Sequence, residues 1–307
     1  MGDRRLEERT IRAPHSLALE ERLSPVRWAS LLGQDLQALV RFNHFLRRLV
    51  VTELRTRYQR SVLGFLWTLL NPILMMAVLA TVFSQVMRVP MEDAPGSLSQ
   101  VDPRLRYAVY LFSGMIPWRL FQAAVTSGGQ SLLANESLVK KVDVPKFLFP
   151  LDSLLVAGVN MVFEFAALFI LFAAVGLASG HGVAVHPQLV LLPAAVVLLG
   201  CFSLGITLIA MTLVSRYRDF EHIIGVFLQL MYFLCPILYP RAVLADYPAL
   251  LAWNPMAYLL APFQDAVYYG TWPDGPTWAA AGLSAVGALM VGYFVYKRSE
   301  PSYVFWL

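Results

Sequence analysis

The side chains of this 307-residue chain that could do chemistry are few: five histidines, two cysteines, one glycine-rich tetrapeptide and two charges in apolar surroundings. His15, His44, His181, His186 and His222 are scattered, and none has a carboxylate or cysteine at ligand spacing. Cys201 and Cys235 both lie in apolar runs, so neither a disulfide framework nor a zinc cluster is available. Ser127-Gly128-Gly129-Gln130 spells part of a nucleotide-hydrolysing signature loop, but no Gly-Lys-Ser/Thr phosphate loop accompanies it. In their apolar helix these small residues serve close helix packing, or a helix break before the next loop. No Gly-x-Ser-x-Gly elbow occurs. Neither a catalytic residue nor a metal site is expected, and the chain reads as a non-enzyme.

Arg119 and Glu164 are the only charges expected deep in apolar segments. Intramembrane charge usually marks ion coupling, but two groups are too few for a proton relay and can neutralise each other as a structural pair. The loop Asn135-Glu136-Ser137-Leu138-Val139-Lys140-Lys141-Val142-Asp143-Val144-Pro145 is different in kind. Pro145 is a stop, so Asn135 can cap a short helix ending at or before Val144. Leu138, Val139 and Val142 then share one side, with Lys140, Lys141 and Asp143 elsewhere. Such a peg, apolar at its tip and mixed in charge, suits docking into a groove on a soluble partner; a plain inter-span loop with inside-positive charges is the alternative.

The elements that must hold these groups follow from composition. Hydrophobic residues make up 58% of the chain and charged ones 14%, with a mean hydropathy of +0.59. Soluble domains run at roughly 45–50% apolar and about 25% charged, so a soluble globule and a disordered chain are both excluded. A net charge of +4 is too mild for nucleic acid. A helical span needs roughly 20 apolar residues to cross a core of about 30 Å. Six segments qualify: Ser61–Met87, Tyr107–Asn135, Leu151–Ala178, Gln188–Val214, Ile223–Tyr239 and Thr277–Tyr296. The turn between the third and fourth is set at Ser179-Gly180-His181-Gly182 with His186-Pro187. Arg241 to Pro276 is apolar but broken at Pro248, Pro255 and Pro262, and reads as one or two short re-entrant helices in the outer leaflet.

With both termini inside, 19 of the 24 basic residues lie on the cytoplasmic side and four outside, as the positive-inside rule requires. No cleavable signal peptide is expected in the first 60 residues. Leu32, Leu36, Leu39, Phe42, Leu46 and Val50 form one stripe, with Arg41, Arg47, Arg48 and Arg55 on other faces. The fold class is therefore an all-α integral membrane protein with six transmembrane helices and cytoplasmic termini. Residues 1–60 form a cytoplasmic segment whose amphipathic interface helix covers about 30–57, and 61–307 the membrane domain.

Arg57-Tyr58-Gln59-Arg60-Ser61-Val62-Leu63-Gly64-Phe65-Leu66-Trp67 followed by Leu70-Asn71-Pro72 resembles the opening of the membrane subunits of ABC exporters for cell-surface polysaccharides. Phe112-Ser113-Gly114-Met115-Ile116-Pro117-Trp118, the loop from Asn135 to Pro150, and Asn254-Pro255-Met256 are similar to that family's later blocks, in order over about residues 40–300. O-antigen, capsule, teichoic-acid and galactan exporters share the pattern. The resemblance implies a six-span half-transporter of the bacterial cytoplasmic (inner) membrane, paired with a second copy of itself and with two copies of a separate ABC ATPase. ATP and magnesium would then sit on that partner, with no cofactor on this chain.

Under the same resemblance, Asn135, Glu136, Leu138, Val139, Lys140, Lys141, Val142, Asp143 and Pro145 form the coupling helix, and the helix before Arg57 a gate helix. The cargo would be a glycan on a polyprenyl diphosphate. Aromatic rings stack on sugars, which makes Trp67, Tyr110, Trp118, Phe121, Phe227 and Tyr232 candidates for the path; Arg57 and Arg60 are candidates for the lipid diphosphate, against plain inside-positive anchoring. The alternatives are an ABC exporter of a drug or small lipid, and a membrane-embedded glycosyltransferase. For the latter an acidic site in a loop is needed, and the acidic pair Glu92-Asp93 lies on the wrong side for nucleotide sugars. An ion-coupled carrier is weakened by the scarcity of buried charge.

Overall fold

The computed structural model describes residues 33–35, 37–58, 66–82, 103–142, 144–178, 187–244 and 248–307. Two compact units are distinguished, Met1–Leu49 and Val50–Leu307. All regular structure among the described residues is helical. Helix α1 is Asn43–Tyr58, α2 Trp67–Thr81, α3 Pro103–Ala134, α4 Glu136–Lys141 and α5 Leu148–Ala178. A 3-10 turn at Pro187–Leu191 leads into α6, Leu192–Arg216, and α7 follows at Phe220–Leu234. Two short helices, α8 (Pro248–Trp253) and α9 (Pro255–Gln264), precede α10 (Gly275–Ser299) and the terminal turn α11 (Tyr303–Trp306).

Leu148–Leu171, Pro187–Arg216 and Gly275–Trp306 are long and apolar enough to cross a membrane. Leu70–Leu79 and Phe220–Leu234 are shorter apolar helices. Helix α3, 32 residues long, carries Arg104, Arg106 and Arg119. Along α1 and the two residues before it, Phe42, Leu46 and Val50 are half-buried, while Arg41, Arg47, Arg48 and Arg55 are exposed; Leu32 and Leu36 of the expected stripe lie outside the described residues. The turn signal at 179–186 lies outside the described residues.

The core is built around α3, which packs along α5 and α6 and also touches α2, α7 and α9. Its neighbour α6 makes the other long contact, with α10. That crossing is close because both helices present glycine: a methyl group on Gly205 or Gly292 would strike the facing helix backbone. Small residues that let backbones approach are how apolar helices gain packing where lipid removes the hydrophobic drive.

Two expectations are corrected. The run Ile223–Tyr239 is not helical throughout: α7 ends at Leu234, and Cys235 is extended (φ −89°, ψ 143°). The cause is Pro236, whose ring excludes the α conformation from the residue before it. The irregular backbone that follows is satisfied by side chains. Tyr107 donates to the Leu238 carbonyl (2.9 Å), Tyr110 to those of Pro236 (3.0 Å) and Tyr239 (2.7 Å), and Gln264 Nε2 to that of Pro236 (2.6 Å). Non-helical chain at membrane depth is tolerated only where protein completes its hydrogen bonds.

The second correction concerns the prolines of the short helices. Pro248 and Pro255 each open a helix, as proline's fixed φ favours. Pro262, expected to break the segment, instead lies inside α9, which continues through a π turn at Asp265–Tyr269. The bond that Pro262 cannot make is to the Tyr258 carbonyl four residues back. The Ala261 carbonyl accepts from both Asp265 N–H and Arg241 Nη2 (2.7 Å), which ties the chain after α7 to this helix. Asn254 explains its own block: Oδ1 accepts from Met256 N–H (3.1 Å) as the N-cap of α9, and Nδ2 donates to the Leu234 carbonyl (3.1 Å) at the end of α7.

Candidate functional site

The loop between α3 and α5 is a short peg with a defined inside and outside. Helix α4 opens on the Asn135 main-chain carbonyl, which accepts from the N–H groups of Leu138 (2.9 Å) and Val139 (3.0 Å). The expected side-chain cap is absent: Asn135 Nδ2 reaches back to the Ser131 carbonyl (2.9 Å) and closes the end of α3 instead. Glu136 and Lys140 pair across one turn at 2.6 Å, which holds the Glu136 carboxyl below its usual range. The apolar side expected for Leu138, Val139 and Val142 is divided. Val139 is buried and anchors the peg with Val144, Leu138 is half-buried, and Val142 stands 44% exposed beside exposed Lys140 and Lys141. Pro145 is half-buried, and Asp143 lies outside the described residues.

The two deep charges meet. Arg119 Nη2 lies 3.2 Å from Glu164 Oε1. Arg119 sits at the middle of α3 and Glu164 at the middle of α5, so packing of these two helices neutralises charges that would each cost at least about 2.5–3.5 kcal/mol at mid-bilayer. The pair walls a cavity of about 280 Å³ between α2, α3 and α5, with Trp67, Asn71 and Asn160 among its other lining residues. Of the two asparagines, Asn71 entered the sequence reasoning only as part of the Leu70-Asn71-Pro72 block and Asn160 not at all; polar side chains inside apolar spans were the available signal. A second cluster was also missed. Arg241 bonds Gln264 Oε1 (2.8 Å), pairs with Asp265 (3.0 Å) and lies over the Tyr269 ring (5.5 Å), which clamps the chain after α7 to α9.

The sequence model of the ABC-2 type transporter matches residues 45–268, most of the chain. The chain belongs to the ABC-2 type transporter family. It is 32% identical over 252 residues to the O-antigen export system permease protein RfbA of Myxococcus xanthus, covering 81% of this chain and 90% of that protein. It is also 25% identical over 220 residues to an O-antigen export system permease protein of Klebsiella pneumoniae, with 71% and 78% covered. The polysialic acid transport protein KpsM of Escherichia coli is 24% identical over 257 residues, with 83% and 93% covered. The protein is thus a multi-pass transporter component of the bacterial inner membrane.

In this ABC-2 protein the six aromatic candidates divide by position. Tyr110, Trp118 and Phe121 are core side chains, at most 5% exposed, with Trp118 against both Phe121 and Tyr232. Tyr110 is held by two backbone carbonyls and reaches no open surface. Tyr232 is half-buried, whereas Trp67 and Phe227 are exposed. Arg57 falls in the last turn of α1, and Arg60 lies outside the described residues. Ser127-Gly128-Gly129-Gln130 lies within unbroken α3, where Gly128 packs against Thr207 of α6 and Gly129 faces Ala210. The tetrapeptide is a helix-packing surface, and the alternative of a helix break is set aside.

Proposed function

We propose that this chain is the permease subunit of an ATP-driven exporter that moves a lipid-linked polysaccharide across the cytoplasmic membrane. The observation that carries this reading is the alignment with two O-antigen export permeases over 90% and 78% of their lengths. In the same reading α2, α3, α5, α6, α7 and α10 are six spans, with both termini cytoplasmic and α8–α9 a re-entrant hairpin under the outer face. Residues 1–60 are the cytoplasmic segment with its interface helix, and 61–307 the transport domain. Two copies assemble with two ABC ATPase subunits, which hold ATP and magnesium. The peg from Asn135 to Pro145 couples them, with Glu136, Leu138, Lys140, Lys141 and Val142 toward the partner and Asn135, Val139 and Pro145 as its footing. Trp67, Phe227 and Tyr232 remain the aromatic candidates for the cargo path, and Arg57 and Arg60 the candidates for the lipid diphosphate.

Deleting the gene tests the cargo. Surface polysaccharide is expected to vanish while lipid-linked glycan accumulates on the cytoplasmic side, and the intact gene restores export. Normal surface glycan with raised sensitivity to an apolar drug would favour the small-molecule exporter instead.

The topology has its own test. In a background lacking Cys201 and Cys235, a cysteine replacing Trp272 is expected to react with an impermeant thiol reagent from outside. Trp272 is 61% exposed in the segment after the π turn. A cysteine replacing Trp253, 88% exposed at the hairpin tip, is expected to resist the reagent from both sides because lipid covers it. Labelling of Trp272→Cys only from the cytoplasm would overturn the six-span arrangement.

A further inference from the structure

We propose that the cavity between α2, α3 and α5 is a binding site for a single sugar ring of the translocating glycan, with Arg119 and Glu164 as its hydrogen-bonding floor. This inference rests on the polysaccharide-export reading and assigns that cargo a place within the protomer. Four observations carry it. The Arg119–Glu164 pair lies midway along both of its helices, the depth at which transporters hold substrate and where an ionisable residue marks function. The site is electrically balanced, so it offers hydrogen bonds without preferring an anion. An arginine presents five donors and a carboxylate several acceptor positions, and the mutual contact at 3.2 Å uses few of them. Among the described residues the side-chain amides of Asn71 and Asn160, on the same cavity wall, make no hydrogen bond.

Planar donor–acceptor groups of this kind match the vicinal hydroxyls of a sugar, and they do so best where water is scarce. Trp67 supplies the remaining element. Its ring, 43% exposed at the cavity rim, offers an aromatic face to the C–H side of a pyranose. The volume of about 280 Å³ lies just below the roughly 300–1,000 Å³ of drug-sized ligand pockets, which suits one ring and not an oligosaccharide. A phosphate or lipid headgroup fits less well, because the one cation is already paired and headgroups lie at the bilayer surface. Asn71 and Ala123 are exposed beside the cavity, so it has an opening through which a moving chain can enter.

The test uses the full transporter in growing cells, with a photo-crosslinking amino acid at Ala123 and the surface glycan labelled through a tritiated hexose precursor. A tritiated adduct is expected from Ala123 and not from Val162, which is 64% exposed on another face of α5. The adduct should fall about tenfold or more when Asn71→Leu and Asn160→Leu are combined, since several hydrogen bonds to hydroxyls are lost together. Equal labelling at both positions, or an adduct carrying only phospholipid, would overturn the site while surface glycan still depends on the chain. Failure of the export reading would show differently, as surface glycan unaffected by deletion.

The double variant Arg119→Leu/Glu164→Leu separates a structural pair from a binding pair. It removes both charges at once, so neither is stranded. Protein abundance is expected to persist with export reduced about tenfold or more. Export at the normal level in that variant would also reject the proposal.

Discussion

Leucine at Gly205 is expected to leave almost no folded permease in the membrane. Gly205 of α6 and Gly292 of α10 face each other where the two helices cross, and a Cβ on Gly205 would collide with the Ala288 carbonyl and the Leu289 amide. Those atoms are helix backbone and cannot swing aside as the end of a flexible side chain can. A whole leucine must therefore part the helices along their long contact. The loss should reach or pass the upper end of the roughly 1–3 kcal/mol usual for overpacking a core. Two controls isolate the crossing. Gly200 on α6 and Gly287 on α10 have no atom near an added Cβ, so leucine there should be neutral, or should gain up to about 1 kcal/mol of helix propensity. Size-exclusion profiles and melting curves of the purified proteins give the comparison. A Gly205→Leu protein that is monodisperse and melts with the controls would show that the crossing is not a tight one.

Charge patterning made the helices legible, because a run without Asp, Glu, Lys or Arg is visible without knowing what it packs against. The same signal misplaced the end of α7: the apolar run continues to Tyr239, but Pro236 governs the backbone at Cys235. A hydropathy argument weighs transfer free energy and is blind to a local steric rule. Pro262 erred the other way: proline removes one N–H and disturbs one turn, and the helix here runs on through it. The site was less legible than the fold. Arg119 and Glu164 were found as charges, yet their meeting depends on how α3 and α5 turn toward each other. Apolar all round, such helices give little periodicity to say which face is inward. For the same reason Tyr110, Trp118 and Phe121 could be recognised as aromatic but not as core. Asn160, and any role of Asn71 beyond its place in the Leu70-Asn71-Pro72 block, entered only with the cavity.

Val142→Asp is expected to cut export about tenfold or more while the protein still inserts and accumulates, since burying an unpaired carboxylate at an interface centre costs about 2 kcal/mol or more. The choice of Val142 follows from how the peg divides its apolar residues. Val139 is buried against the protein's own body, so aspartate there would damage the fold and say nothing of a partner. Val142 is 44% exposed at the end of α4, where its backbone is extended. An apolar side chain in that position gains nothing from water and is available to a groove on the proposed ATPase. Reversing Lys140 and Lys141 is the weaker probe. Both are exposed, Lys140 already pairs with Glu136 on its own helix, and exposed pairs contribute only about 0–1 kcal/mol. Val142→Ile keeps the apolar contact and should export normally. Export by cells carrying Val142→Asp, measured as surface glycan per molecule of permease, decides the matter: a level equal to that of Val142→Ile would remove α4 from the coupling surface.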